Sequence, residues 1–128
     1  MTGVAHIVDQ RSEEELAGIV ADTASGAELA VEHGVLAHDF AYPPLRRVFL
    51  AAIDIDHLTD QDDRLDHIAN VAGCDRAWLT DLVHSKHRTV LRDTSGGIAR
   101  RVQASGARWR RYLELQTELT ALTDGAAA

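Results

Sequence analysis

The sequence has little cysteine and no long apolar run, and both features narrow the classes of protein it can belong to. Cys74 is the only cysteine among 128 residues, which excludes an internal disulfide and a zinc site built from cysteines. No apolar run approaches the roughly 20 residues that are needed to cross a bilayer. Residues 1–6 lack a basic segment followed by an apolar one, so we expect no secretory signal and a cytoplasmic protein.

The sequence also lacks the short motifs that accompany common catalytic sites. There is no G-x-S-x-G, no G-x-x-x-x-G-K-[ST] and no H-E-x-x-H, so a hydrolase elbow, a phosphate-binding loop and a zinc protease helix are not expected. The acidic residues 54–67 fail as a calcium loop, because Thr59 and Leu65 stand where glycine and glutamate are needed. Cys74 lies at a helix start, where the helix dipole would lower its pKa, but no local signature pairs it with a base. We expect no enzyme activity, no cofactor and no metal.

The distribution of charge favours protein partners over DNA. The formal net charge is −7, yet residues 95–128 hold five arginines against three carboxylates and carry +2, so the remainder carries −9. A DNA-binding protein usually presents a basic domain, whereas an acidic body with a basic late segment suits docking on other proteins. Arginine outnumbers lysine 12 to 1, and this is typical of a GC-rich coding source such as an actinobacterium or its phage.

Helical periodicity covers almost the whole chain and predicts an all-α fold of about six helices. Residues 1–11 show no period and are expected to form a flexible tail. Ser12 and Glu15 have the spacing of a capping box, and the stripe that follows predicts a first helix ending near Ser25 and Gly26. A short second helix from about residue 27 to 33 should stop at Gly34, and residues 35–42 should form a loop.

Prolines, aspartates and glycines mark the ends of the middle helices. Pro43 and Pro44 open the third helix, since proline at the first helical position loses no hydrogen bond. The fourth helix is predicted between Thr59 or Asp60 and Gly73. The fifth begins after the capping residue Asp75 and ends among the cations of residues 86–88.

The last helix, from Thr94 or Ser95 to Thr123, is predicted to be long and to have two apolar sides. One side is the expected core face: Ile98, Val102, Ser105, Trp109, Tyr112 and Leu113. The other is a band that is basic first and leucine-rich later: Arg100, Arg101, Arg108, Arg111, Leu115, Leu119 and Leu122. Because a second apolar stripe on the helix of a single domain needs a partner, this band is the predicted partner-binding surface. The domain should span residues 12–123, with a disordered end at 124–128.

A nucleic-acid partner remains the alternative to a protein partner. Arginines interleaved with an aromatic residue can grip phosphates and stack on bases, and Trp109 lies among the arginines of the last helix. Two observations weigh against it: Trp109 falls on the predicted core face, and a net acidic protein repels DNA at long range.

Residues 35–53 carry the motifs of a known family. An acidic residue and a phenylalanine, Asp39-Phe40, precede Pro44 in a predicted loop, and the helix that follows holds four further matches: Arg47, Phe49, Ala52 and Ile53. This order resembles the N-terminal domain of DnaB-type replicative helicases, in which such a loop leads to a proline and to a helix that holds histidine, arginine, phenylalanine, alanine and isoleucine in this order. Leu45 and Arg46 stand where the family often has alanine and histidine. The likeness extends over about residues 13–115, with Trp78-Leu79-Thr80-Asp81-Leu82 similar to the family's Tyr-Leu-x-x-Leu helix.

The resemblance implies a domain without enzymatic activity that forms the collar of a helicase hexamer and docks primase. In physical terms, Phe40, Phe49 and Ile53 should close the core, and Arg47 should brace the loop. The chain ends where the family continues into a helical hairpin, a linker and the ATPase domain, so we expect a free-standing domain without a motor. The expected function is an interaction module that binds helicase or primase as adaptor or inhibitor, and a second copy of the chain is an alternative partner.

Overall fold

The computed structural model describes residues 7–55, 57–90 and 95–127, and in these ranges every regular element is helical. Six α-helices and one short 3-10 helix follow each other: α1 (Gln10–Asp22), α2 (Ala24–Glu32), the 3-10 helix (Ala37–Asp39), α3 (Pro43–Ile53), α4 (Gln61–Ala72), α5 (Arg76–Val90) and α6 (Ser95–Ala127). The prediction of an all-α fold with six helices and a long last helix is therefore confirmed. None of the helices in the described ranges is both long and apolar enough to cross a membrane.

Helix α1 is the centre of the fold. It contacts each of the other five α-helices, and every residue from 15 to 22 is buried. The run Leu-Ala-Gly-Ile-Val-Ala in this segment explains its position, since a helix that is apolar on all sides gains most when neighbours surround it. The core around it is completed by Phe40 and Phe49, whose ring centroids lie 5.1 Å apart, as the sequence predicts for these two residues.

The start of α1 differs from the prediction. Asp9, not Ser12, is the capping residue, because its carboxylate accepts the backbone N–H of Ser12 at 3.1 Å and the Ser12 hydroxyl at 2.8 Å. Ser12 is itself buried within the first turn. The predicted flexible tail of residues 1–11 therefore extends too far, because residues 10 and 11 already belong to α1. Residues 1–6 lie outside the described part of the chain.

The boundary between α1 and α2 lies earlier than predicted. Thr23 has an extended backbone, and its hydroxyl accepts the N–H of Gly26 at 2.9 Å, so a new helix starts there. The two helices approach closely at Gly26, where an added Cβ would lie 2.4 Å from the carbonyl oxygen of Ile19. Glycine thus serves here as a contact point between helices and not as the end of the first one.

The middle helices have the predicted end signals. Pro43 opens α3, and the Asp60 carboxylate caps α4 by accepting the N–H of Asp63 at 3.1 Å. Gly34 and Gly73 adopt the left-handed backbone that follows a helix, with φ of 78° and 68°. Asp75 accepts the N–H of Ala77 at the start of α5, and that helix runs on to Val90, past the predicted end at residues 86–88.

A buried arginine that the sequence analysis missed joins three parts of the fold. The Arg64 side chain is fully buried and donates to four backbone carbonyls: Val20 at 2.8 Å, Ala21 at 3.2 Å, Ile55 at 2.9 Å and Leu58 at 3.1 Å. The first two belong to the last turn of α1, where carbonyls have no partner within the helix. Burial lowers the pKa of Arg64, and the nearby charge of Asp22 raises it. Arg64 therefore ties α4 to the carboxyl end of α1 and to the loop after α3.

Candidate functional site

The predicted site lies on α6, whose first half belongs to the body of the protein. Ile98, Ala99, Val102 and Ser105 are buried, as the predicted core face requires for three of them. At Gly106 the helix crosses the loop before α3 so closely that an added Cβ would lie 2.4 Å from the carbonyl oxygen of Asp39. Any side chain at this position would have to push the helix away from the loop.

Beyond Gly106 the helix leaves the body, and we call residues 107–127 the projecting half of α6. It is about 30 Å long at 1.5 Å per residue. No side chain from residue 107 to residue 124 is buried, and those of residues 125–127 lie outside the described ones. The predicted disordered end at residues 124–128 differs from the structure, in which the helix continues through Asp124 to Ala127.

The predicted core face of α6 is wrong after Gly106. Trp109 and Tyr112 are only half-buried, and 45% of Leu113 is exposed. The two aromatic rings stack on each other instead, with centroids 5.5 Å apart and planes inclined by 18°. The physical reason is that the body ends at Gly106, so the periodic stripe continues on the helix with no neighbour to pack against.

The leucines of the predicted partner-binding band are exposed, and increasingly so toward the tip. The exposed fraction rises from 47% at Leu115 to 59% at Leu119 and 73% at Leu122. Together with Tyr112 they follow the spacing 3, 4, 3 and lie on one stripe of the helix, which we call the leucine seam. Leu113 lies about 200° around the helix from Leu115, since each residue turns it by 100°.

The arginines of the predicted band do not form one surface. Arg101 donates to the Ser12 hydroxyl at 3.3 Å, and Arg108 donates to the carbonyl of Ile7 at 3.1 Å. Arg111 pairs with Glu114 on the same helix at 3.0 Å, while Arg100 is exposed. Arg108 therefore holds the segment before α1 and Arg101 contacts the first turn of α1, while Arg100 and Arg111 are exposed.

Arg110, which the sequence analysis did not include in the site, fixes the base of the projecting half. Its guanidinium donates to the carbonyl of His38 at 3.0 Å and pairs with the buried carboxylate of Asp39 at 3.2 Å. That carboxylate also accepts the N–H of Leu36 at 2.9 Å. The Asp39-Phe40 loop and α6 are thereby joined, and the direction in which the projecting half leaves the body is set by this contact and by Gly106.

The same loop is held on its other side by α1 and α3. The buried carboxylate of Glu13 accepts the N–H groups of Ala41 and Tyr42, both at 3.1 Å, where α3 begins. Arg46 donates twice to the carbonyl of Phe40, at 2.8 and 3.1 Å. The predicted brace, Arg47, is exposed, so the bracing arginine is its neighbour Arg46. Burial raises the pKa of Glu13, which the two backbone hydrogen bonds and Arg46 partly offset.

Cys74 and the acidic residues of the 54–67 segment, which could in principle serve a catalytic or metal site, have contacts that suit a structural role. Burial raises the pKa of the Cys74 thiol, contrary to the predicted effect of the helix dipole. Asp62 and Asp66 pair with Arg76 at 3.2 and 2.9 Å, while Asp56 and the side chain of His87 lie outside the described ones. Among the described residues there is no group of three histidine, cysteine or acidic side chains that could hold a metal ion.

Comparison with known proteins yields no match: no family model, no curated protein and no solved structure is significantly similar to this chain.

Proposed function

We propose that the chain is a non-catalytic interaction module of DNA replication, which binds a replisome protein, helicase or primase, as adaptor or inhibitor. The observation that carries the proposal is the projecting half of α6. It is a helix of about 30 Å that leaves the body with Leu115, Leu119 and Leu122 exposed along one stripe. Amphipathic helices commonly bind protein partners through an exposed apolar stripe of this kind.

The replisome assignment depends on the resemblance to the N-terminal domain of DnaB-type helicases. In this chain the residues that carry the resemblance pack in the core or fix the loop, which is consistent with a domain of that kind. Phe40 packs against Phe49 in the core, and the Asp39-Phe40 loop is fixed by hydrogen bonds from α1, α3 and α6. The loop therefore has a structural role, which is to position the last helix. This role is consistent with the non-enzymatic domain of that family. The cytoplasm of a GC-rich bacterium, or a phage that infects one, is the proposed setting.

The absence of catalysis is supported by how the buried polar groups are used. Glu13, Asp39 and Arg64 are buried charged side chains, and each is bonded to backbone groups of the loop or of a helix end. The raised pKa of Cys74 disfavours the thiolate that nucleophilic catalysis needs.

Nucleic-acid binding is the second function, and the stacked rings of Trp109 and Tyr112 favour it. Aromatic side chains beside arginines are the usual platform for unpaired bases. Three arginines surround these rings, but each has a partner in the protein: Arg108 with Ile7, Arg110 with Asp39 and Arg111 with Glu114. Phosphates would have to replace these partners on a chain of net charge −7, so we place this function second.

Affinity capture tests the proposal directly. The chain, tagged at its amino end, is used to recover proteins from a lysate of a GC-rich bacterium, with and without nuclease treatment, at low and moderate salt. We expect helicase or primase to be recovered by the wild type and by Leu113→Glu, and to be lost with Leu119→Glu. Recovery of material that disappears on nuclease treatment, with no replication protein left, would overturn the proposal in favour of nucleic-acid binding.

The adaptor and the inhibitor differ in their effect on a reconstituted reaction. The recovered helicase and primase are purified and primer synthesis is measured with increasing amounts of the chain. An adaptor raises the rate of primer synthesis, and an inhibitor lowers it. Leu119→Glu should have neither effect, and an equal effect of this variant would show that the leucine seam is not the contact.

A further inference from the structure

The leucine seam has the geometry of a coiled-coil strip. Tyr112, Leu115, Leu119 and Leu122 are separated by three, four and three residues, which is the alternation of a and d positions in a heptad. In the described part of the chain nothing packs over Leu115, Leu119 or Leu122, and their exposure grows toward the tip of α6. A strip with this spacing is complementary to another helix with the same spacing.

The projecting half also needs support to remain helical. A helix gains most of its stability from packing an amphipathic face, and short isolated helices are marginal in water. Within the described residues, the side chains that touch the body after Gly106 are concentrated at the base, where Arg108 and Arg110 bond to Ile7, His38 and Asp39. Among the described residues, no hydrogen bond or ion pair joins the part from Leu113 to Asp124 to the body. A second helix packed against this part would stabilise it.

The order of charges along the projecting half specifies the direction of that second helix. Arginines occupy its base, at positions 108, 110 and 111, and acidic residues follow toward the tip, at 114, 118 and 124. We propose that the seam is covered by the same seam of a second copy of this chain, in an antiparallel pair of α6 helices. An antiparallel pair sets the basic base of each helix beside the acidic tip of the other, whereas a parallel pair would align like charges.

One register matches all four seam residues. With residue 117 at the centre, Leu115 lies beside the partner's Leu119, and Tyr112 lies beside the partner's Leu122. In this register the two projecting halves overlap from residue 107 to residue 127. The two bodies lie at opposite ends of the pair. Because the contact is isologous it closes on itself, and the assembly stops at a dimer.

Sedimentation of the purified full-length chain tests the dimer. The wild type should have about twice the chain mass of 14.0 kDa, Leu119→Glu should have the mass of one chain, and Leu113→Glu should remain a dimer. Leu113 is the matched control because 45% of it is exposed, close to the 47% of Leu115, on the opposite side of the helix. If Leu119→Glu loses its helical circular dichroism, Leu122→Gln takes its place. A monomeric wild type, a dimeric Leu119→Glu or a monomeric Leu113→Glu would each overturn the proposal.

Disulfide trapping tests the direction of the pair. In a Cys74→Ser background, a single cysteine is placed at Gln116 or at Thr123, which lie seven residues apart on the same flank of the seam. The antiparallel register brings the two copies of residue 116 together at the centre and holds the two copies of residue 123 about 18 Å apart along the axis. Gln116→Cys should therefore cross-link and Thr123→Cys should not. Cross-linking of Thr123→Cys would contradict this register, and cross-linking of neither variant would show that the seams do not meet in it.

Both proposed partners use the leucine seam, so a chain in the dimer has to dissociate before it binds a replication protein. The two proposals are tested separately, because the dimer is measured on the purified chain alone. A chain that is monomeric but captures helicase or primase through Leu119 would overturn the dimer and leave the proposed function in place. A dimer that captures no replication protein would do the reverse.

Discussion

Gly106 and Asp39 touch backbone to backbone: a Cβ on Gly106 would lie 2.4 Å from the carbonyl oxygen of Asp39. This contact is the point where α6 leaves the body, and the ion pair of Arg110 with the Asp39 carboxylate lies next to it. The position and direction of the leucine seam therefore depend on a glycine that, in sequence terms alone, only weakens the helix.

Replacing Gly106 with alanine should destabilise the protein. Alanine favours the helix by about 1 kcal/mol, but overpacking against a backbone that cannot move aside costs roughly 1–3 kcal/mol. We expect a lower melting temperature in thermal unfolding followed by circular dichroism. Ala107→Ser, on the exposed side of the same turn, is the control and should change the melting temperature little. A melting temperature of Gly106→Ala at or above that of the wild type would show that α6 and the loop separate easily.

Replacing Arg64 with methionine should have the largest effect on stability of any single arginine change. It leaves four carbonyls without a donor, and each buried polar group that loses its partner costs about 1–3 kcal/mol. The free energy of unfolding is measured by urea denaturation. Arg11→Met is the matched control, since Arg11 is exposed and its ion pair in the described part of the chain is the one with Glu15 at 3.4 Å, a contact that contributes about 0.5 kcal/mol or less. Equal losses in the two variants would contradict the role given to Arg64.

Glu13 should make stability depend on pH in a definite direction. Burial raises its pKa in the folded protein above the ordinary value of 4.5, so the folded state holds the proton more tightly than the unfolded chain does. The stabilisation is fully present below pH 4.5 and is lost as the pH rises through the folded pKa. The free energy of unfolding of the wild type minus that of Glu13→Gln should therefore decrease as the pH is raised from 4 to 7. An increase would show that the bonds from Ala41 and Tyr42 outweigh burial.

The salt dependence of association separates the two proposed functions. A contact made by leucines should change its affinity only slightly with salt, whereas phosphate contacts lose affinity by orders of magnitude. We expect capture of a replication protein to persist from low to moderate salt, and we expect no binding of a fluorescent single-stranded oligonucleotide at physiological salt. Tight oligonucleotide binding with a steep salt dependence, lost in both Trp109→Ala and Arg111→Ala, would favour nucleic-acid binding.

The sequence predicts those parts of the fold that depend on neighbouring residues. Pro43 opens a helix, and Gly34 and Gly73 follow helix ends, because each effect is set by the residue's own backbone. Where two residues close together can both cap a helix, the sequence does not show which one does. Asp9 and Ser12 can both cap a helix, and the choice depends on the Asp9 N–H finding the Ser105 hydroxyl 96 residues away at 2.7 Å.

Features that depend on distant parts of the chain were missed. The partners of Arg64 in α1 lie 43 and 44 residues before it, so its sequence neighbourhood gives no sign that it is buried. On α6, the same period that places Val102 in the core continues to Leu113, which is exposed, because periodicity carries no information on where the body ends. Leu115, Leu119 and Leu122 lie off that stripe, and they are exposed.

The most direct test of the central claim is the comparison of Leu119→Glu with Leu113→Glu in two measurements: thermal unfolding at submicromolar concentration, and capture of a replication protein after nuclease treatment. If the projecting half of α6 is an interaction surface, Leu119→Glu keeps the melting temperature of the wild type and loses the captured protein, while Leu113→Glu keeps both. A large fall in the melting temperature of Leu119→Glu, with capture unchanged, would show that Leu119 belongs to the core and would contradict the account.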